Sequence, residues 1–152
     1  MAHDGAHDAG AGNLAAAGPS RHPDVLTPFG GDAAHLPLTP HVDERGALVE
    51  VDLDALPFTV RRAFWVTDVP VGLQRGGHRH KSAAQVLVCT AGRVEIDLRR
   101  GRDRATVVLT PHGGALVLAA GIWAAQRYLT QGSTLLVLAS ESFDPTDYDT
   151  TY

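Results

Sequence analysis

The residues with the clearest chemical capacity in this 152-residue chain are two histidines one position apart, in the run Gly76-Gly77-His78-Arg79-His80. Side chains on a β-strand alternate between its faces with a period of two, so an H-x-H pair sets both imidazoles on one face. The two glycines ahead of them let the backbone bend, as a strand must where it enters the mouth of a barrel. Imidazole titrates near neutral pH and is also a common metal ligand. A two-histidine face therefore serves either proton transfer or metal coordination.

The elements that must hold such a pair read as short strands. From Leu36 onward, brief alternating or apolar runs are separated by turn residues, the pattern of an all-β sandwich or barrel. Asp43-Glu44-Arg45-Gly46 is a turn leading into Ala47 to Val51, and Pro57 precedes a strand at Arg62 to Val66. The histidines follow the Pro70-Val71-Gly72 turn. After them come the run Gln85 to Cys89, an Ala91-Gly92 turn, and Val94, Ile96 and Leu98 alternating with polar residues. Arg100 to Asp103 reads as a hairpin tip with Thr106 to Leu109 returning; Ala115 to Leu118, Ile122-Trp123 and Ser133 to Leu138 complete the strands. Long helices are absent from the pattern, although Ser142 has the type and place to cap one short turn at the end.

Composition narrows the field further. The length suits one domain, and an apolar fraction of 44% suffices for a single core. A net charge of −4 offers no basic field for nucleic acid or an anionic membrane, and no apolar run reaches the roughly 20 residues of a membrane span. The amino terminus lacks the pattern of a secretory signal, which makes a cytoplasmic protein the expectation. Cys89, the one cysteine, sits in the apolar run Val86-Leu87-Val88 and reads as a buried strand thiol. Residues 1–35 are rich in Ala, Gly, His, Asp and Pro and bury little, so they are expected to form a disordered leader before a domain at 36–152. His3, His7 and His22 fall in that leader and are expected to be solvated.

The stretch Gly72 to Gly92 is similar to the first cupin motif: a glycine, five residues, H-x-H, four residues, an acidic position, six residues and a glycine. It departs in carrying Gln85 where metal-binding cupins carry glutamate. The second cupin motif fits Gly113 to Gly121, and its ligand position then falls on Ala124. Two histidines and a neutral amide make a poor site for iron, manganese or zinc. The motif thus implies a double-stranded β-helix, the cupin jelly roll, with an acid/base pair and with neither a metal nor a cofactor.

More closely, the chain resembles the cupin dTDP-sugar 3,4-ketoisomerases, the WxcM-like C-terminal domain. The similar stretches are Asp43 to Leu48, Arg61 to Val66, Val69 through Gly92, Gly121-Ile122-Trp123, and a tail of Leu138-Ala139-Ser140, Asp144, Asp147-Tyr148 and Tyr152. In that family the residue at Gln85 is usually glutamine. The resemblance implies that a dTDP-4-keto-6-deoxyhexose is converted to its 3-keto isomer through an enediolate, in deoxysugar biosynthesis within secondary metabolism. It further implies that His78 and His80 transfer the protons, that Arg75 meets the pyrophosphate, and that the protein is a homodimer.

The chain also departs from the family. The family's tyrosines on the strand at Phe64-Trp65-Val66 are absent, and its Trp-His-Glu region reads Trp123-Ala124-Ala125. The expected binding residues are therefore Arg75 and Gln85 together with Phe64, Trp65, Trp123 and Ala124, in a pocket more apolar than usual. Two other readings keep the fold. One is acid/base-assisted cyclisation or isomerisation of a less polar metabolite, and the other is a cupin that binds a small molecule without catalysis.

Overall fold

The computed structural model describes residues 25–151. Its strands are β1 (Ala33–Leu36), β2 (His41–Asp43), β3 (Gly46–Leu48), β4 (Arg62–Val66), β5 (Gln74–His80), β6 (Gln85–Ala91), β7 (Val94–Arg100), β8 (Asp103–Leu109), β9 (Ala115–Leu118), β10 (Trp123–Tyr128), β11 (Thr134–Ala139) and β12 (Tyr148–Asp149). They form two five-stranded antiparallel sheets, in the orders β1-β9-β6-β11-β4 and β12-β5-β10-β7-β8, with β2 and β3 as a separate hairpin. Consecutive strands β6 and β7 lie in different sheets, as do β8 and β9 and again β10 and β11. The chain thus winds back and forth between the sheets as a jelly roll does. Among the described residues no helix is long and apolar enough to cross a membrane.

The periodicity of each strand follows from what covers it. Strand β7 has water on one side, and its buried residues Val94, Ile96 and Leu98 alternate with half-buried polar ones. Strands β6, β9 and β11 are covered on both faces, which is why they read as continuous apolar runs. Leu87, Cys89, Leu116, Leu118, Leu135 and Val137 point between the sheets, where they meet Ile96, Leu98, Val107, Leu109 and Tyr128. Val86, Val88, Ala115 and Leu138 point the other way, under Leu56 and the half-buried Val51, Phe58 and Val60. Cys89 is buried, as its setting implies, and that burial pushes its thiol up to about 11.

The boundary of the expected leader differs. Residues 1–24, with His3, His7 and His22, lie outside the described residues. Residues 25–35 are built into the fold: Leu26 and Phe29 are buried in the main core, and β1 pairs with β9 through Ala33–Leu118 and Leu36–Ala115. Two large side chains, too sparse to show as a periodic pattern, were enough to fasten this segment. The terminal turn also differs. A 3₁₀ turn spans Pro145–Asp147, but its cap is Asp144, whose carboxylate accepts from the Thr146 amide at 2.9 Å, not Ser142. Pro145, fixed in φ, starts the turn one residue after that cap.

Phe29→Ala is expected to cost about 3–5 kcal/mol, the usual loss for a buried phenylalanine. Urea unfolding measures it, and a change within about 0.5 kcal/mol would mean that residues 25–35 contribute nothing to the core.

Candidate active site

The histidines come to one place because β5 is bent just before them. Gly76 and Gly77 have φ of 76° and 80°, in the left-handed region that glycine enters freely. A Cβ on Gly76 would lie 2.6 Å from the Gln126 amide oxygen and 2.9 Å from the Ala124 carbonyl, so no other residue fits there. The register between β5 and β10 slips at this point, between Ala124 and Ala125. Beyond the bulge both imidazoles face the interior, as the two-residue period requires. Their ring centroids are 5.0 Å apart and the planes nearly perpendicular, at 83°. Ala124 sits opposite His78 on β10, and its methyl group leaves the space that a larger side chain would fill.

The end of the chain closes the other side. Strand β12 pairs Tyr148 with His80 and Asp149 with Arg79. The Tyr148 ring then lies 4.6 Å from that of His78 and 4.8 Å from that of His80. Just before it, the buried carboxylate of Asp147 contacts His80 Nδ1 at 2.9 Å. It also accepts from the Ser82 amide and hydroxyl, each at 2.7 Å, and from the Ala83 amide at 3.4 Å. Burial alone would raise this acid. The hydrogen bonds from Ser82 and His80 outweigh that cost and bring Asp147 down to about 2. An ionised carboxylate only accepts, so His80 Nδ1 carries a proton, and in the neutral ring the lone pair is on Nε2. His78 is held below the usual imidazole range, first by burial and then by the neighbouring His80, while a hydrogen bond to the Gly76 backbone works against this. Arg79 clamps the same tail through Asp149 at 2.7 Å, and Lys81 Nζ donates to the Thr146 carbonyl at 2.8 Å.

A cavity of about 180 Å³ opens between the sheets at this point. His78, His80 and Tyr148 form one wall, Gln85, Gln126 and Arg75 supply further polar groups, and Phe64, Leu87, Leu135 and Val137 make an apolar floor. Ala124 closes its inner end beside Gln85 and Ile122. The structure therefore brings together His78, His80, Arg75, Gln85, Phe64 and Ala124. It separates two others expected to join them. Trp65 alternates with Phe64 on β4, so it projects from the opposite face of the sheet and is 68% exposed. Trp123 precedes the inward-facing Ala124 and lies on the outside of its sheet, where the Arg99 guanidinium stacks 4.7 Å from its ring. Neither tryptophan lines the cavity. Asp147, Tyr148 and Gln126 join the site without having been expected there. For the first two, the family-like Asp147-Tyr148 pair was a signal; for Gln126 the period of β10 from Ala124 was.

Among the described residues no group of three or more His, Cys, Asp or Glu side chains is placed to hold a metal ion. The donors next to the imidazoles are the neutral amides of Gln85 and Gln126, and Ala124 offers none.

A double-stranded β-helix with a histidine pair between its sheets is a cupin. Within that class, the chain belongs to the FdtA family, "WxcM-like, C-terminal", whose model matches residues 32–152. It is 31% identical over 108 residues to the TDP-4-oxo-6-deoxy-α-D-glucose-3,4-oxoisomerase of Aneurinibacillus thermoaerophilus, spanning 70% of this chain and 78% of that one. The fold is similar to that of QdtA, a sugar 3,4-ketoisomerase from Thermoanaerobacterium thermosaccharolyticum solved with TDP. The two share 32% identity and a TM-score of 0.75, covering 80% of this chain and 89% of QdtA. WlaRB, a TDP-quinovose 3,4-ketoisomerase from Campylobacter jejuni, is 29% identical with a TM-score of 0.74, over 80% and 94% of the two chains.

Because Asp147 lies at about 2 in the fold against an ordinary 3.8, its stabilising effect is present above pH 4 and is lost as pH falls from about 4 to about 2. Asp147→Asn should lower stability at pH 7 by up to about 2 kcal/mol and flatten this acid limb. Urea midpoints across pH 2–7 measure both, and an unchanged limb would place the acid sensitivity elsewhere.

Proposed function

We propose that this chain is an isomerase of a TDP-4-keto-6-deoxyhexose, moving the ketone from carbon 4 to carbon 3 in deoxysugar biosynthesis without a metal or other cofactor. The observation that carries the reading is the Asp147–His80 pair beside His78 on a cavity wall, in a chain similar to ketoisomerases along most of its length.

The chemistry follows from the geometry. The ketone at carbon 4 acidifies the hydrogen on carbon 3, and a base removes it to give an enediolate. His80 is that base, since its Nδ1–H is held by Asp147 and the imidazolium formed on Nε2 lies against an ionised carboxylate. The amide groups of Gln85 and Gln126 donate to the enediolate oxygens, where charge develops. Delivery of a proton from His80 to carbon 4, after the proton on its Nε2 has exchanged with solvent, together with transfer of the hydroxyl proton from O3 to O4 through His78, completes the shift with no net gain or loss of protons. Burial keeps His78 neutral near pH 7, as this relay requires. Arg75 lines the cavity and gives it positive potential for an anionic ligand. The apolar floor at Phe64 suits the deoxygenated carbon 6.

The same reading includes a homodimer in the cytoplasm, serving secondary metabolism. Trp65, Val42 and Leu48 are among the exposed apolar side chains available for association to cover.

Incubation with TDP-4-keto-6-deoxyglucose in deuterated buffer should place deuterium in the sugar ring, read by mass spectrometry; no exchange, with no thermal stabilisation by TDP, would refute the reading. His80→Ala should lower kcat by about 10²–10⁴-fold and leave TDP binding intact. Trp65→Ala, on the other face of the sheet, should leave KM for the sugar substrate within about twofold, and a tenfold rise would return Trp65 to the site.

A further inference from the structure

His78, His80, Gln85 and Gln126 face two spaces at once. They line the cavity between the sheets, and the same side chains line a smaller space at its inner end, walled otherwise by apolar groups with Ala119 and Ala124 among them. That inner space measures about 10 Å³, against about 180 Å³ for the cavity. It is too small for a sugar ring but has roughly the size of the single sphere that a buried water needs. A buried water also needs several polar partners, and the imidazoles and amides on its walls supply them. The Gln126 amide is held in place, because its atoms lie where a Cβ on Gly76 would be and so rest against the bare backbone of the bulge. Neither the Gln85 nor the Gln126 side chain hydrogen-bonds to another described residue. Each amide has a donor end and an acceptor end. With the N–H groups directed to the enediolate oxygens, the carbonyl ends need a donor, and a dry space would leave them unpaired at a cost.

Small residues keep this space open. Ala124 stands opposite His78 on β10, and Ala119 belongs to the half-buried turn between β9 and β10, whose Gly121 amide donates to the His80 carbonyl at 2.8 Å. A sugar lying with carbons 3 and 4 at the imidazoles takes up the larger cavity and shuts that side of the rings from solvent. In the proposed reaction the proton that His80 takes from carbon 3 nevertheless exchanges before one is delivered to carbon 4. The partner in that exchange therefore has to stand on another side of the histidine pair.

We infer that the space beside Ala124 holds one water molecule, bound by the Gln85 and Gln126 amides, and that this water is the exchange partner of the histidine pair while substrate is bound. The imidazolium gives its proton to the water and receives one of the water's own, so charge and protons balance. Ala124 is then a positioning residue: it does not line the larger cavity, and its small size keeps the path of the proton open. The inference rests on the isomerase reading above and names the route by which that reaction meets solvent.

TDP-4-keto-6-deoxyglucose carrying deuterium at carbon 3, converted in a single turnover in ordinary water, reads the exchange as the share of label found at carbon 4 of the product. The wild type should return less than about a tenth of the label, and Ala124→Val, whose larger side chain fills the space, should raise that share about fivefold or more. Damage that only slowed reprotonation would give the water longer to act and lower the share, so a rise marks loss of the exchange partner. Equal shares in Ala124→Val and wild type would overturn the inference. If Ala124→Val does not fold, as judged by thermal stabilisation with TDP, Ala119→Leu fills the same space from another wall and decides in the same way. A crystal structure of the wild type with TDP at atomic resolution should show a water within hydrogen-bond reach of both amides, and its lack there would also overturn the inference. A wild type that converts none of the sugar sinks the isomerase reading and this one with it, whereas conversion with most of the label retained sinks this one alone.

Discussion

Side chains leave a β-strand alternately to either side, and between two facing sheets only one of those sides is interior. That constraint sets the composition of the site. It sends His78 and His80 inward together and Arg79, between them, out to Asp149. It turns Phe64 to the cavity and Trp65 away from it, and it sets Ala124 and Gln126 beside the histidines while leaving Trp123 under Arg99. The bulge at Gly76 and Gly77 is where the alternation is interrupted. A side chain on Gly76 would collide with Gln126 and the Ala124 backbone, so the bend that aims β5 depends on the absence of a Cβ.

A second layer of order comes from one buried carboxylate. Asp147 accepts from His80, from Ser82 twice and from Ala83, so it ties the last turn of the chain to the strand and loop that carry the base. Several donors around a single acid keep it ionised despite burial, and an ionised acid permits one His80 tautomer. Docking of the tail and orientation of the His80 ring thus rest on the same contacts. The contacts around it, Arg79 with Asp149 and Lys81 with the Thr146 carbonyl, are more exposed and add position more than energy.

The cavity combines these polar walls with a floor borrowed from the core. Leu87, Leu135 and Val137 belong to the packed interior and also face the open volume. The two imidazoles therefore sit partly out of water, which pushes His78 toward its neutral form. Phe64 and Ala124 extend the same apolar character, and a deoxygenated sugar edge suits it better than a fully hydroxylated one.

Much of this was legible in the sequence, for local reasons. Strand positions follow from alternation and turn residues, and the registers bear out the runs at Arg62 to Val66 and Ala115 to Leu118 to the residue. The shared face of His78 and His80, and the glycine bend before it, need nothing beyond strand geometry. Burial of Cys89 follows from its apolar neighbours. Other features depend on distance through space rather than along the chain. Asp147 reaches His80 across 67 positions, and no pattern local to either residue announces the pair. Trp65 and Trp123 were drawn toward the site by size and neighbourhood, whereas the sheet decided which face each took. Phe29 looked like part of a featureless leader, because a single buried aromatic gains its meaning only when a core is present to receive it. The sequence determined the strands and the histidine pair, since these rest on interactions between near neighbours. The carboxylate partner of His80 and the walls of the cavity were decided by tertiary packing alone, which brings distant segments within hydrogen-bond and stacking reach.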